Sequence, residues 1–461
     1  MNTRRTQIPA PAAKPRWQVW GLGLAMVVVL AGLVGCASLK PQPMGSEAPP
    51  VAATCPDGPP AGTRCWRGKD SAGAPYLLAL PERWSGVLVV HVHGGPFLGP
   101  PTDARADEDV KRWAVILREG HAYAASVFRQ GGFAVTAAAE DSERVRRIFF
   151  DHVARPRLTL LHGQSWGAMV AARAAELYPS SWQGILFTSG VVGGSASYDF
   201  RVDLRAIYQH LCGNHPRPSE PTYPVALGLP PGVTMSGADV AARVNECLAL
   251  NRPVSERSPE QRAKAKLIAD VLRIPEASIG SHMNWATLTL ADITRRHGGI
   301  VIGNAGVRYR GSTDDAALNA ELDRKGLRYA ADPAARARFL ADVEHGGRFA
   351  VPVLTVHGIA DPTVFVEAQH ALREIMQRAG TVHDLVQTFV DSAEHSYLGD
   401  AIYPPLFDAL LAWVERGERP TPERIATRCR ERQRAAKASE AECRFRPDYE
   451  VQPLATRVLP R

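Results

Sequence analysis

The segment at 163–167, with the sequence GQSWG, constrains the fold more than any other part of the chain. The apolar run Leu158–Leu161 before it predicts a buried strand, and the alanine-rich run after it predicts a helix. So sharp a turn holds Ser165 in strained backbone, and the two flanking glycines remove side chains that would clash. The segment therefore predicts a nucleophile elbow with Ser165 as the nucleophile. An ordinary strand-to-helix turn that carries a polar serine is the alternative.

Strand-like and helix-like patterns alternate on both sides of this segment. Short apolar runs bounded by turn residues predict further buried strands. These runs are Gly86–Val92, Ala122–Val127, Gly184–Thr188, Val351–Val356 and Leu385–Val390. The alternation predicts an α/β fold with a mostly parallel central sheet flanked by helices. From about 190 to 347 the pattern is helical only, which predicts a helical cap insertion over the edge of the sheet.

Two side chains further along the chain are candidate partners of Ser165, in the order nucleophile, acid, base. Asp361 follows the buried strand Val351–Val356, at the strand end where an acid is expected. His395 follows the last strand, in a loop. A turn aspartate beside Pro362 and a solvated loop histidine are the alternative interpretations of these two residues.

Other carboxylates and imidazoles fit the two roles less well. Asp384 precedes a strand, which places it at the wrong edge of the sheet, and Glu394 adjoins the base. His357 lies at the end of the acid's own strand, and His383 lies at a strand start. We therefore favour Asp361 as the acid and His395 as the base.

The segment HGGP at 93–96 ends an earlier strand and is similar to an oxyanion-hole loop. An oxyanion hole needs backbone N–H groups that point at the tetrahedral oxygen. Because Pro96 has no N–H, the donor is Gly95 or Phe97, and we favour Gly95. The second expected donor is the amide of Trp166, the residue after the nucleophile.

These motifs together resemble the α/β-hydrolase family. The resemblance covers 86–190 and 350–417 and is closest to exported bacterial hydrolases with a helical cap and a cysteine-containing tail. Its motifs lie at 93–96, 163–167, 357–361 and 394–395. The resemblance implies an α/β-hydrolase fold and a serine hydrolase. Such an enzyme cleaves carboxylic esters through a Ser-His-Asp triad and an acyl-enzyme, without a cofactor.

Two other functions stay open at this point. The motif pair is also similar to proline iminopeptidases, although the chain lacks the further glycine that follows Pro96 in those enzymes. A cap-gated peptidase would need cap carboxylates for the substrate ammonium, and acidic residues such as Asp199, Asp203 and Glu246 occur in the cap. A binding lipoprotein on an inactive hydrolase fold is the third hypothesis, against which the intact candidate positions count.

The N-terminal region has the layout of a signal sequence. Residues Trp17–Gly35 are uncharged and mostly apolar, and basic residues precede them. The segment LVGC at 33–36 resembles the bacterial lipobox, which implies cleavage before Cys36 and lipidation of its thiol. An uncleaved transmembrane anchor is the alternative. With Ala37 after Cys36, the resemblance implies a lipid-anchored protein of the bacterial cell envelope, at the outer membrane and facing the periplasm or the exterior.

Besides Cys36, six of the seven cysteines remain, and an even number in an exported chain predicts disulfides. They are Cys55, Cys65, Cys212, Cys247, Cys429 and Cys443. Pairing between sequence neighbours is the simplest of the possible arrangements, because each pair then lies within one local segment. No C-x-x-C pair occurs, and His91 and His93 lack an evident third ligand. We therefore expect no metal site.

The net charge does not indicate a nucleic-acid partner. The 461-residue chain carries a formal charge of +7. Residues 1–35 hold four basic residues and no acidic one, so their removal leaves +3, too small a charge for that function. The expected partners are a small ester or peptide substrate and the membrane lipid, and the oligomeric state stays open.

These patterns divide the chain into six segments. Pro41–Gly62 is rich in Pro, Ala and Gly, which predicts a tether, and the basic tail is expected to wrap around the surface. The segments are a lipoprotein signal peptide at 1–35, a tether and N-terminal lead-in at 36–84, a first part of the hydrolase core at 85–190, the helical cap at 191–347, a second part of the core at 348–418, and a basic, cysteine-containing tail at 419–461.

Overall fold

A nine-stranded sheet organises residues 44–461, which are the residues that a computed structural model describes. The predicted signal peptide, the lipobox and Cys36 lie outside them and stay predictions. The strands are β1 Val51–Ala53, β2 Arg64–Lys69, β3 Pro75–Leu80, β4 Val87–Val92, β5 Ala122–Ser126, β6 Leu158–Gln164, β7 Gly184–Thr188, β8 Val353–Gly358 and β9 Leu385–Val390. Among the described helices, none combines the length and the apolar character needed to cross a bilayer.

The strand order is β1-β2-β3-β5-β4-β6-β7-β8-β9. The pairs among β1, β2, β3 and β5 are antiparallel, and every pair from β5–β4 to β8–β9 is parallel. The six strands predicted from apolar runs are all present, and the parallel part carries the candidate residues at its carboxyl ends. This is the α/β-hydrolase fold that the resemblance implies.

Helices cover both faces of the sheet. They are α1 Asp103–Arg112, α2 Ala114–Arg118, α3 Val135–His152, α4 Trp166–Leu177, α5 Ala196–Cys212, α6 Gly237–Leu248, α7 Pro259–Leu272, α8 Ile279–Asn284, α9 Leu290–His297, α10 Asp315–Arg324, α11 Pro333–Val343, α12 Ala368–Ala379, α13 Tyr403–Arg416 and α14 Pro422–Ala435. Alternate residues of β4 belong to different hydrophobic clusters: Val90 packs with α3 and α4, and Val89 packs with α1 and α13. Since both faces of the sheet are covered, the parallel strands are buried along almost their whole length and are mostly apolar.

The segment between β7 and β8 is helical and contains a hydrophobic cluster of its own. Helix α7 begins with a capping box: Ser258 accepts a hydrogen bond from the amide of Gln261, and Pro259 is its first residue. Ile268 and Val271 of this helix are buried in the cluster. A π-helical turn, Trp285–Thr289, joins α8 to α9.

The N-terminal part of the described chain differs from the tether prediction. Val51–Ala53 is a strand that pairs with β2, so the part of Pro41–Gly62 that contains it belongs to the sheet. A disulfide between Cys55 and Cys65 also ties this segment to β2. The composition suggested a tether because an edge strand of three residues among prolines and glycines leaves no periodic pattern to detect.

The neighbour pairing of the cysteines is confirmed. Disulfides join Cys55 to Cys65, Cys212 to Cys247, and Cys429 to Cys443. The second of them closes a 35-residue separation between α5 and α6, within the cap.

The basic tail makes specific ion pairs as well as covering surface. The guanidinium of Arg461 lies 2.9 Å from the carboxylate of Asp203 and 3.3 Å from that of Asp199, both on α5. Arg457 lies 3.0 Å from Glu367, which precedes α12. The tail therefore connects the cap to the second part of the core.

Candidate active site

Ser165 lies at the junction of β6 and α4, in a conformation that few side-chain-bearing residues adopt. Its backbone has φ 54° and ψ −124°. Three hydrogen bonds hold this turn: the Ser165 amide donates to Thr188 O at 2.9 Å, and Ser165 O accepts from the amides of Ala168 and Val191 at 3.0 and 2.9 Å. The neighbouring strand and helix thus maintain a strained backbone that presents the hydroxyl at the carboxyl edge of the sheet.

The two glycines that flank Ser165 are required by close backbone approach. A Cβ on Gly163 would lie 2.6 Å from the Cα of Ala168. A Cβ on Gly167 would lie 2.1 Å from Val92 O and 2.5 Å from His93 O. The spacing G-x-S-x-G is thus a steric requirement: Gly163 lets the strand approach helix α4, and Gly167 lets that helix approach the end of β4.

Replacement of Gly167 with alanine is expected to lower the free energy of unfolding by about 3 kcal/mol, because rigid backbone atoms occupy the space of the new methyl group. Gly280, in α8, is a matched control, since no atom lies within 4 Å of its added Cβ. Gly280→Ala should be neutral or stabilise by about 0.5–1 kcal/mol through helix propensity. Urea titration of both variants measures the difference, and equal losses would contradict this account of the turn.

Asp361 and His395 lie with Ser165 in one hydrogen-bonded chain. His395 Nε2 is 2.8 Å from Ser165 Oγ, and His395 Nδ1 is 2.8 Å from Asp361 Oδ2. Asp361 follows β8 and His395 follows β9, so two loops at the carboxyl edge bring them to the elbow. Because an ionised carboxylate only accepts hydrogen bonds, Nδ1 carries the imidazole proton. Nε2 is then the nitrogen that faces the serine hydroxyl.

Several donors surround the buried carboxylate of Asp361. The amides of Thr363 and Val364 donate to Oδ1 at 2.8 and 3.0 Å, while His357 Nε2 lies 3.4 Å from Oδ2. Burial by itself would raise the pKa of this carboxyl, but hydrogen bonds from His357 and His395 outweigh burial and lower the pKa far below its ordinary value. Asp361 is therefore an ionised partner of the His395 imidazole.

The rival residues lie away from the serine hydroxyl or serve another contact. His357 donates from Nε2 to Val364 O at 2.9 Å, and its Nδ1 lies 3.1 Å from Gln369 Nε2. It therefore supports the Asp361 loop, a role that the sequence analysis missed when it weighed His357 only as a base. The one available signal was its i,i+4 spacing to Asp361 across the strand end. Asp384 lies 3.2 Å from His383, whose side chain is 72% exposed.

The segment 93–96 lies against Ser165. A Cβ on Gly94 would be 3.3 Å from the Cβ of Ser165 and 2.7 Å from Gln164 Nε2. Trp166 is the first residue of α4, so its amide has no intrahelical acceptor and is available to a ligand. Gly95 and Trp166 thus stay the predicted oxyanion donors.

Of the two histidines near this loop, His93 holds the loop backbone and His91 packs within the sheet. His93 Nδ1 donates to Gly94 O at 2.6 Å, and burial, aided by Arg105, lowers the pKa of His93 to about 3. His91 Nδ1 lies 3.0 Å from His162 Nδ1, inside the sheet. Within residues 44–461 no group of three potential ligands is placed to hold a metal ion.

An apolar cavity of about 330 Å³ adjoins the segment 93–96. Its walls include Trp166 of the elbow and Phe128, and Phe97 and Leu98 form an exposed apolar rim. A cavity of this size and lining is large enough for a small ligand with an apolar part.

Comparison with known proteins finds no relative of this chain in sequence. No protein-family model matches the chain. No curated protein matches it in sequence.

Solved esterases align with most of the chain at low identity. Feruloyl esterase B from Aspergillus oryzae has 13% identity and a TM-score of 0.42 over 81% of this chain and 87% of that chain. The rice cell wall degrading esterase LipA from Xanthomonas oryzae has 11% identity and a TM-score of 0.37 over 78% and 90%. A carboxyl esterase from Bacillus coagulans has 13% identity and a TM-score of 0.31 over 72% and 90%. At TM-scores this low, the likenesses carry no argument about activity.

Proposed function

We propose that this protein is a serine hydrolase that cleaves carboxylic esters. The observation that carries the proposal is the chain of hydrogen bonds from Ser165 Oγ through the His395 imidazole to the buried Asp361 carboxylate. The strained backbone of Ser165 supports it, since strain at a hydroxyl-bearing turn between strand and helix is the setting of a nucleophile elbow.

Each of the three side chains has one chemical task in the first half-reaction. Ser165 Oγ attacks the acyl carbon while His395 Nε2 takes the hydroxyl proton, and the Asp361 carboxylate stabilises the resulting imidazolium. The negative charge that develops on the carbonyl oxygen is directed at the amides of Gly95 and Trp166. Collapse of this intermediate expels the alcohol, which receives its proton from His395, and leaves an acyl group on Ser165.

The second half-reaction repeats these steps with water as the nucleophile. His395 Nε2 removes a proton from the water as it attacks the acyl-enzyme, and then returns a proton to Ser165 Oγ when the acid leaves. These two half-reactions need no cofactor, because the chain itself supplies the acid–base group and the oxyanion donors.

The carboxylates that a peptidase would need for a substrate ammonium already form ion pairs within the chain. Asp199 and Asp203 are both within ion-pair distance of Arg461. Glu246 pairs with Arg217 at 2.5 Å on the exterior of the cap. Since each of these carboxylates already has a cationic partner, none is an evident anchor for a substrate ammonium.

The location of the enzyme follows the lipobox resemblance at Cys36. A diacylglycerol on this thiol would hold the hydrolase at the bacterial cell envelope, on the outer membrane. Its substrates would then be small esters that reach the membrane surface.

A substrate panel tests the proposed reaction. We expect purified protein to hydrolyse short p-nitrophenyl esters with kcat/KM of about 10⁴ M⁻¹ s⁻¹ or more, within the ordinary range of enzymes. Aminoacyl p-nitroanilides should be cleaved more slowly, measured at 405 nm under the same conditions (about 25 °C, pH near 7). Faster anilide cleavage would establish a peptidase instead. Absence of both activities, together with absence of labelling by a fluorophosphonate, would favour a binding protein.

A further inference from the structure

Arg201, in α5 of the cap, is a buried cation without a counter-ion. Its residue is 6% exposed. The one hydrogen bond that it makes within the described residues runs from Nη1 to Ser197 O at 3.0 Å, and its buried Nε has no partner there. Among the described residues, no carboxylate contributes to the pKa of this guanidinium. Removing a cation from water without a compensating anion is costly, so this arrangement needs a reason.

The surroundings of Arg201 keep it charged. Its guanidinium lies 4.1 Å from the ring centre of Tyr198 and 4.8 Å from that of Phe200, where the ring faces attract a cation. Burial lowers the pKa of Arg201 to about 10, which still leaves it protonated at neutral pH. The Nε and Nη2 groups of this guanidinium make no hydrogen bond among the described residues. Together they form the side of an arginine that binds a carboxylate through two parallel hydrogen bonds.

Arg201 faces the loops that carry the candidate nucleophile and acid. It lines a small cavity together with Val191, Thr363 and Val364. The amide of Val191 donates to Ser165 O, and the amides of Thr363 and Val364 donate to the Asp361 carboxylate. The cavity wall is therefore built from residues in direct contact with the elbow and the acid.

The cavity is narrow. Its free volume of about 10 Å³ is that of a single water site, so a carboxylate, which is larger than one water, binds there only when the surrounding side chains move apart, and a whole ester does not fit. The nearby His282 offers no anion: its Nε2 donates to Pro362 O at 2.9 Å, and burial and Arg201 lower the pKa of His282 to about 3.

Other cap arginines do not share this arrangement. Arg243 lies within ion-pair distance of Glu220, and Arg461 of Asp203. Arg205, one turn after Arg201, is also buried and leaves Nε and Nη1 without a partner among the described residues, but its Nη2 donates to Tyr223 Oη and Gly228 O and it does not line the cavity. A buried, charged and unpaired guanidinium beside the Ser165 and Asp361 loops is thus particular to Arg201.

We propose that Arg201 binds a carboxylate of the substrate, so that the preferred substrates are esters that carry a free carboxylate. This inference rests on the proposed esterase function. The carboxylate belongs either to the acyl part, as in a half-ester of a dicarboxylic acid, or to the alcohol part, as in an ester of a hydroxy acid. In either case it receives two hydrogen bonds from the Nε–Nη2 edge of Arg201.

Substrate pairs that differ only in charge test this proposal. The first pair tests the acyl side and consists of monomethyl adipate, which carries a carboxylate, and the methyl ester of adipic acid monoamide, which carries a carboxamide. The second pair tests the alcohol side and consists of the acetate esters of glycolic acid and of glycolamide. In one of the two arms we expect the wild type to favour the carboxylate by about tenfold or more in kcat/KM. Arg201→Gln should abolish that preference, and Arg201→Lys should retain part of it.

The ratio of kcat/KM within a pair does not depend on the fraction of folded enzyme, so a destabilised variant stays informative. Arg205→Gln is the matched control, because it removes a buried cation from the same helix, and it should keep the wild-type preference. Equal rates for both members of each pair in the wild type, or an unchanged preference in Arg201→Gln, would overturn the carboxylate site alone. Failure of every ester, charged or neutral, would overturn the proposed function.

Discussion

Ser165→Ala is expected to lower kcat for ester hydrolysis by about 10⁵–10⁶-fold, the scale of loss when a nucleophile is removed from a working triad. The variant cannot form the acyl-enzyme, and His395 loses the hydroxyl that lies 2.8 Å from its Nε2. Residual turnover would come only from the oxyanion donors and substrate binding. Initial rates with p-nitrophenyl butyrate, measured over a wide range of enzyme concentration, determine the size of the loss.

The matched control for this variant is Ser142→Ala. Ser142 is also buried, and its hydroxyl donates to Ala138 O within α3. We expect this control to retain kcat within a few-fold and to lose only about 1 kcal/mol of stability. A Ser165→Ala enzyme that stayed within tenfold of the wild type would show that another residue attacks the ester.

Asp361→Asn is expected to lower kcat by about 10⁴-fold while the fold is retained. Oδ1 of Asp361 accepts hydrogen bonds from the amides of Thr363 and Val364. In the variant these two donors hold the amide oxygen of the asparagine, so its NH₂ group faces His395. The imidazole then accepts at Nδ1 and carries its proton on Nε2, which leaves no base toward Ser165.

Asp384→Asn serves as the control for this prediction, since Asp384 is the rival acid and pairs with the exposed His383. It should leave kcat unchanged within about twofold, because surface ion pairs contribute little. The comparison requires kcat at saturating ester for both variants. If Asp361→Asn kept more than about a tenth of wild-type kcat, or if both variants lost activity equally, the assignment of the acid would be wrong.

Much of the fold and the positions of the candidate residues were accessible from the sequence because the relevant signals are local. The strand-and-helix pattern around Ser165 defines the elbow, and parallel strands bring their carboxyl ends to one edge. Asp361 and His395 each follow a strand directly, so their convergence follows from the topology. The neighbour pairing of the cysteines was predictable for the same reason, since each pair lies within one short segment.

The features that escaped prediction depend on contacts between distant segments. The ion pair between Arg461 and Asp203 joins residues that are 258 positions apart, and no local sequence pattern indicates it. Arg201 sits in a helix whose apolar spacing looks like ordinary core, and only the assembled cap shows that it lacks a counter-ion. The first strand, Val51–Ala53, is recognisable only through its pairing with β2.

The most direct measurement of the central claim is the site of modification by a fluorophosphonate, which reacts with an activated serine. After digestion and mass spectrometry, the wild type should carry one adduct per chain, on the peptide that contains Ser165, and His395→Ala should carry almost none. An adduct on a different serine, or equal labelling of Ser165 in the presence and absence of the imidazole, would contradict the claim that His395 activates this hydroxyl.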